Sequence, residues 1–436
     1  MSKIKKRILL VEIITKNNKL PFNLKFIPLG LEIIRALIPK KRYITSYLLD
    51  YNYKKFNIKD FRRYDLILFS SSSFIRSDII NIVNAIKKKL KTTIIIGGPD
   101  ISRNKGLYKR LDAILIVGEV EEIWSYVLKD FESGNLKKIY FGNIVSADSI
   151  PLLDYKPFLA KKNYVNTIQT TRGCCFNCAF CDFSFYNGNK IRSKSIDLVI
   201  REISLLKNRK IPLNKFFIFV DANIYSNKYY FRELCETIIK NKLDIYWLAE
   251  ASANIGEDKE LIELAYKSGC RALLVGFETI NNKSLKWIRK PFSLQLYNKY
   301  INNIKTKKIL IYGQFIIGLD YDNNKNYYNY LSNWLLKSKI DLITLSVLRP
   351  ERDTLIYNRL VQENRILDEE KNIFIPRNMA FKELYKYKNR IESRFYSYKI
   401  IFIRILSLLK YDKFKFKYII YGIVIFIINI FLKNKK

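Results

Sequence analysis

Apolar runs ending on small or acidic residues recur along this chain, each followed by a stretch with helical spacing. The first part holds four of them: "RILLVEII" (residues 7–14), "YDLILFSSSS" (64–73), "TTIIIGGPD" (92–100) and "DAILIVGE" (112–119). Between them lie segments such as "SDIINIVNAIKKKL", in which apolar residues recur every three to four positions. Strand and helix signals in alternation predict an α/β fold with a doubly wound, Rossmann-like parallel sheet. In that architecture ligands bind beyond the carboxyl ends of the strands, where Ser70 to Ser73, Gly97-Gly98-Pro99 and Gly118-Glu119 would gather.

The rhythm breaks at "SADSIPLLDYKPF" (146–158), which carries two prolines and no clear period and reads as a linker. It resumes with candidate strands at "TIQTTRG", "KFFIFVDAN", "IYWLAEAS", "RALLVGFET", "ILIYGQFIIGLD" and "IDLITLSVL", with helices expected over 195–207, 229–241, 258–268 and 324–338. Such a series of βα units predicts a partial or complete (β/α) barrel with its site at the strands' C-terminal ends. The expected organisation is a Rossmann-like domain over 1–150, a barrel over 151–380 and a helical extension over 381–436.

That extension ends in "YIIYGIVIFIINIFL" (418–432), fifteen uncharged residues with lysines on both sides. The run is shorter than the ~20 residues of a usual bilayer span. It reads first as an interfacial membrane anchor; a buried terminal helix and a true span are the alternatives.

The formal charge of +38, from 78 Lys+Arg against 40 Asp+Glu, permits attraction to an anionic membrane surface or to nucleic acid. The lysines are scattered rather than gathered in a stripe and no aromatic-basic module stands out, so coding bias is the preferred explanation of the charge and no nucleic-acid partner is expected. Six cysteines in 436 residues do not make a disulfide framework. The N-terminus reads as a first strand rather than a signal peptide. A cytoplasmic, reducing location is expected, with peripheral contact at the inner face of the cell membrane through the tail.

Four of the six cysteines fall within "RGCCFNCAFCDF" (172–183), and the chain contains no histidine. Cys174, Cys178 and Cys181 have the spacing with which one irregular loop can wrap one metal centre. Structural zinc needs four closed ligands. The fourth would have to be Cys175, which adjoins Cys174, or the remote Cys235 or Cys270. Three thiolates on a four-iron cluster leave one iron open to a reactant, and thiolate is the ligand iron–sulfur chemistry uses.

The CxxxCxxC spacing, with Phe180 before the last cysteine, resembles the signature loop of the radical S-adenosylmethionine (radical SAM) enzymes. The resemblance runs from about residue 7 to about residue 400. It is strongest to the group with an N-terminal cobalamin-binding-type domain, which includes C- and P-methylases, hopanoid-type methylases and the anaerobic magnesium-protoporphyrin ester cyclase. The resemblance implies a [4Fe–4S] cluster on Cys174, Cys178 and Cys181. SAM would chelate its open iron through its amino and carboxylate groups, and one-electron reduction would yield a 5′-deoxyadenosyl radical that abstracts hydrogen from unactivated carbon. It places Phe180, Asp221 and Asn223 of "VDAN", Glu250, Glu278 and Thr279, and Ile317 with Gly318, as SAM-binding candidates. Glu250 reads equally as a structural hydrogen-bonding residue. "VLRPERDTL" departs from the family's barrel-closing segment, with Glu351 and Arg352 where Pro-Gly is usual.

The 26-residue step from Ser71 to Gly97 resembles the spacing that admits a buried cobalamin tail, making Ser71, Ser72, Gly97, Gly98, Gly118 and Glu119 the cobalamin candidates. Without histidine, any cobalamin lacks an imidazole ligand from this chain. The alternative is a domain that binds none. The resemblance thus implies cobalamin-dependent methylation of an unactivated carbon, or else an oxidative cyclisation or rearrangement without methyl transfer. Either would act on a small, lipid-like, isoprenoid or tetrapyrrole-like substrate, with an electron donor of the flavodoxin or ferredoxin type.

Overall fold

A computed structural model describes residues 5–13, 24–51, 57–369 and 372–409. The apolar tail over 418–432 lies outside them. The chain divides into two compact units. The first comprises Met1–Ile168, Phe185–Gly188 and Arg192–Asn214; the second comprises Gln169–Ser184, Asn189–Ile191 and Lys215–Lys436.

From the N-terminus the elements are β1 (Lys6–Ile13), β2 (Lys25–Phe26), α1 (Leu29–Leu37), β3 (Tyr43–Tyr51), β4 (Leu66–Ser70), α2 (Arg76–Lys87), β5 (Thr93–Gly97), α3 (Pro99–Tyr108), β6 (Ile114–Val117), α4 (Trp124–Ser133) and β7 (Ile139–Phe141). There follow β8 (Tyr164–Ile168), β9 (Thr171–Arg172), α5 (Phe183–Asn187), β10 (Arg192–Ser193) and α6 (Ile196–Lys207).

In the first unit a six-stranded sheet has the order β3-β1-β4-β5-β6-β7, and its neighbours are parallel. The apolar runs are continuous because both faces are covered. Leu9, Val11, Ile67, Phe69, Ile94 and Ile96 pack against Ile79, Ile82, Val83 and Ile86 of α2 and Ile101 and Tyr108 of α3. Their neighbours Ile8, Leu10, Leu66, Leu68 and Ile95 face Leu31 of α1 and Trp124, Val127 and Leu128 of α4. Sequence reading missed β3, whose mixed polar and apolar residues suit a sheet edge.

The stretch expected as a linker packs inside this unit. Leu153 N and Tyr155 Oη both donate to buried Glu202, at 3.4 and 3.2 Å, and Lys194 is ion-paired with the same carboxylate at 3.0 Å. Asp154 takes Lys40 at 3.1 Å and pairs with Arg35.

The second unit continues with β11 (Phe216–Phe219), α7 (Lys228–Lys240), β12 (Tyr246–Ser252), α8 (Lys259–Lys267), β13 (Cys270–Glu278), α9 (Asn282–Trp287), α10 (Leu294–Lys305), β14 (Leu310–Ile317), α11 (Lys325–Lys337), β15 (Leu342–Val347) and α12 (Leu355–Gln362). Strands β11 to β15 pair in chain order, each parallel to the next. Among the described residues β15 pairs only with β14, so the barrel is partial. Helix starts follow local capping: Asn227, Asp258, Asn324 and Thr354 each accept from the backbone N–H three residues on. No helix among the described residues is long and apolar enough to cross a membrane.

Candidate active site

The cysteine loop leaves β9 through Gly173, whose φ of 88° suits a residue without Cβ. All six cysteines are free; Cys178 is buried, Cys174 and Cys181 are half-buried, and Cys175 is exposed. Backbone bonds hold the loop from two sides. Ala179 N donates to Ile288 O and Ala179 O accepts from Ile356 N, both at 2.9 Å. Burial raises the thiols of Cys174, Cys178 and Cys181, that of Cys178 to about 12. The three also lie within one another's electrostatic reach. Buried thiols of this kind become thiolates only when a strong positive charge offsets desolvation, which a metal centre supplies. Among the described residues no three Cys, Asp or Glu side chains group around a single ion.

Beside the thiols stands an ion pair. Lys290 Nζ meets Glu278 Oε1 at 3.0 Å, and both side chains are almost wholly buried. Glu278 ends β13 with φ 65°, after a register shift between Gly276 and Glu278. A Cβ on Gly276 would stand 2.5 Å from that same carboxylate oxygen, so a side chain there would shift the carboxylate from its place in the pair. Lys290 also lies 5.8 and 5.6 Å from the ring centres of Phe176 and Phe292, which meet edge-on. Glu250 is raised by desolvation, then by the Glu278 carboxylate, and is hydrogen-bonded to Gln314. Its surface is nevertheless exposed. A carboxylate in a protein-lined recess that solvent still enters satisfies both observations.

The other candidates at the strand ends are engaged internally. Asp221 Oδ1 accepts from Thr170 N and Oγ1 at 3.0 Å and from Thr171 Oγ1 at 2.7 Å, while its buried Oδ2 has no hydrogen-bond partner among the described residues. Asn223 clasps Ser252, donating to Oγ at 3.1 Å and accepting from N at 2.9 Å. Thr279 lies on Asp322 and Tyr327, each at 2.7 Å. Ile317 is fully buried, and Phe180 is half-buried.

In the first unit Ser71 Oγ is 2.7 Å from Tyr108 Oη and is buried. Tyr108 belongs with Arg76 and Asn104 to a cage around buried Asp100. Glu119 is clamped by Arg192 with two contacts of 2.7 Å. A Cβ on Gly118 would meet Gly142 O at 2.1 Å. Ser72, Gly97 and Gly98 remain partly exposed at the strand ends.

Three buried or half-buried thiols in one loop, beside a strand-end carboxylate and at the opening of a partial parallel barrel, coincide with a known domain. The radical SAM superfamily model matches residues 168–329. These residues form a radical SAM domain.

The chain is 28% identical over 351 residues to the bacteriochlorophyllide d C-12(1)-methyltransferase of Chlorobaculum tepidum, covering 79% of this chain and 76% of that protein. It is 23% identical to the hopanoid C-2 methylase of Rhodopseudomonas palustris, over 79% and 66% of the two chains. In fold it is similar to the cobalamin-dependent S-adenosylmethionine radical enzyme OxsB, with a TM-score of 0.69, 15% identity and coverage of 96% and 70%. The radical SAM methyltransferase TsrM of Kitasatospora setae follows, with a TM-score of 0.67, 12% identity and coverage of 82% and 76%.

Around the radical SAM domain's cysteine loop the fold gathers Cys174, Cys178, Cys181, Glu278 and Glu250. Asp221, Asn223 and Thr279 sit in internal networks, and Ser71 and Glu119 have protein partners. Lys290, Gly276 and Gln314 escaped sequence reading. A lysine among 78 basic residues carries no local signal, and nothing near Gly276 marks its need for space.

Proposed function

We propose that this radical SAM enzyme holds a [4Fe–4S] cluster on Cys174, Cys178 and Cys181, binds SAM beside it, and methylates an unactivated carbon with the help of cobalamin. The observation that carries this reading is the trio of free, buried or half-buried thiols in the loop that Ala179 fastens to the barrel. When bound, the cluster supplies the electron that cleaves SAM reductively. The protein orients that chemistry. Glu278 and Glu250 present carboxylates at the recess for the amino and hydroxyl groups of SAM, and Phe180 flanks it. Asp221, Asn223 and Thr279 act as posts that fix the strand ends from behind. The half-buried rim around Ser72, Gly97 and Gly98 suits close approach of a bulky cofactor to backbone, and the absence of histidine restricts cobalamin to a form without a protein imidazole.

Relatives named for bacteriochlorophyllide d and hopanoid support a small, largely apolar substrate. The Lys-flanked apolar tail would bring the protein to the membrane surface, and a flavodoxin- or ferredoxin-type protein would supply electrons.

The reading is tested by anaerobic purification of the full chain, iron–sulfide reconstitution and spectroscopy with and without added cobalamin. Cluster absorbance should appear in the wild type and in Cys175→Ala, and should be lost in Cys174→Ala, Cys178→Ala and Cys181→Ala. Absorbance that survives in those three variants overturns the cluster assignment. A loaded cluster with no retained corrinoid overturns the cobalamin part and leaves cyclisation or rearrangement.

A further inference from the structure

We infer that Lys290 is a positioning residue for the cysteine-held centre: its ammonium clamps the loop through Phe176 and turns the positive end of the Lys290–Glu278 pair toward the cysteine loop, raising the centre's reduction potential. The inference rests on the cluster assignment made above.

The geometry has three parts. First, the cation is buried and fixed. It is bonded to Glu278 at 3.0 Å and stands beside two aromatic rings, one of which, Phe176, belongs to the cysteine loop. Second, the turn that carries it is stitched to that loop. Ile288 O accepts from Ala179 N at 2.9 Å, Arg289 turns with φ 58°, and Lys290 N donates to Leu285 O at 2.9 Å. Third, the pair is oriented. The ammonium is the end of the pair that stands 5.8 Å from the ring centre of Phe176, between Cys174 and Cys178 in the chain.

A buried ion pair contributes little net stability. What this one provides is a field of fixed sign in a place shielded from water, where charge acts more strongly than at a surface. Net charge near an iron–sulfur cluster is among the factors that set its potential. Reduction adds one electron, taken from an external low-potential reductant, to an already anionic thiolate centre. A nearby cation favours that reduced state. The sign survives either response of Glu278 to loss of its partner. If it stays ionised, a negative charge is left behind; if it takes up a proton, the favourable dipole is lost.

The test is an EPR-monitored redox titration of the anaerobically reconstituted full chain, with iron content measured alongside. Lys290→Met should retain the wild-type iron content while its midpoint falls by at least about tenfold in the reduction equilibrium, about 59 mV for one electron. Lys290→Arg should restore most of the difference, and Glu278→Gln should shift the midpoint the opposite way. An unchanged or raised midpoint in iron-replete Lys290→Met overturns the inference. Should that variant fail to take up iron, Glu278→Gln decides: an unchanged or lowered midpoint overturns the inference. A wild-type chain that takes up no iron overturns the cluster assignment itself, which distinguishes the two failures.

Discussion

Gly98 stands at φ 103°, and a Cβ there would lie 2.6 Å from Ser71 O and 2.9 Å from Ser71 N. The second glycine of the pair therefore serves the protein's own packing before any ligand arrives. Asp100 N donates to Ser71 O at 3.3 Å, and Ser71 N donates to Gly97 O at 2.8 Å, so the two strand ends are tied at this point. Gly98→Ala should destabilise the full chain by at least about 1–3 kcal/mol from the backbone conformation alone. Gly97→Ala, whose Cβ would make an ordinary 3.7 Å contact with Ile116, should cost much less. Thermal melts of the two variants side by side check this, and equal losses would refute it. Ser71 itself was legible in the sequence as a residue at the carboxyl end of a strand. Its hydroxyl partner was not, because Tyr108 lies 37 positions away.

At the scale of elements, Asp322 joins the ends of β13 and α9. It accepts from Thr279 at 2.7 Å and Ser284 at 2.5 Å and is fully buried. Burial pushes its carboxyl up from 3.8 to about 6. A raised carboxyl stabilises the fold in its protonated form, so this contribution is complete below about pH 3.8 and is lost as pH rises through about 6. The wild type should lose on the order of 2–3 kcal/mol across that interval through this group. Asp322→Asn should flatten that segment of the stability profile, as read by denaturant melts at pH 5 and pH 7; an unchanged slope would show that the group does not titrate there. The elements themselves were largely readable. Helices expected over 195–207, 229–241, 258–268 and 324–338 form as Ile196–Lys207, Lys228–Lys240, Lys259–Lys267 and Lys325–Lys337. Their caps and periods are decided by residues within one turn. "TIQTTRG" differs from expectation: it divides into β8 and β9, and Thr170 between them turns its N–H and hydroxyl to Asp221 rather than to a ladder.

For the whole molecule, a prediction concerns the apolar tail, which lies beyond the described residues. Truncation after Asp412 should move the protein from the membrane pellet to the supernatant on fractionation. Full-length protein already in the supernatant would end the anchor proposal.

The sequence by itself determined the α/β alternation, the trio Cys174, Cys178 and Cys181, and the exclusion of a histidine ligand, because periodicity, spacing and composition are local properties. Tertiary structure decided the rest. It set Lys290 against Glu278, kept Gly276 clear for them, engaged Thr279 and Asn223 behind the strand ends, and gave Ser71 to Tyr108. Each of these depends on which distant residues meet once the strands are in register, and a buried charge acquires its effect only from the partners and the low-dielectric surroundings that folding brings to it.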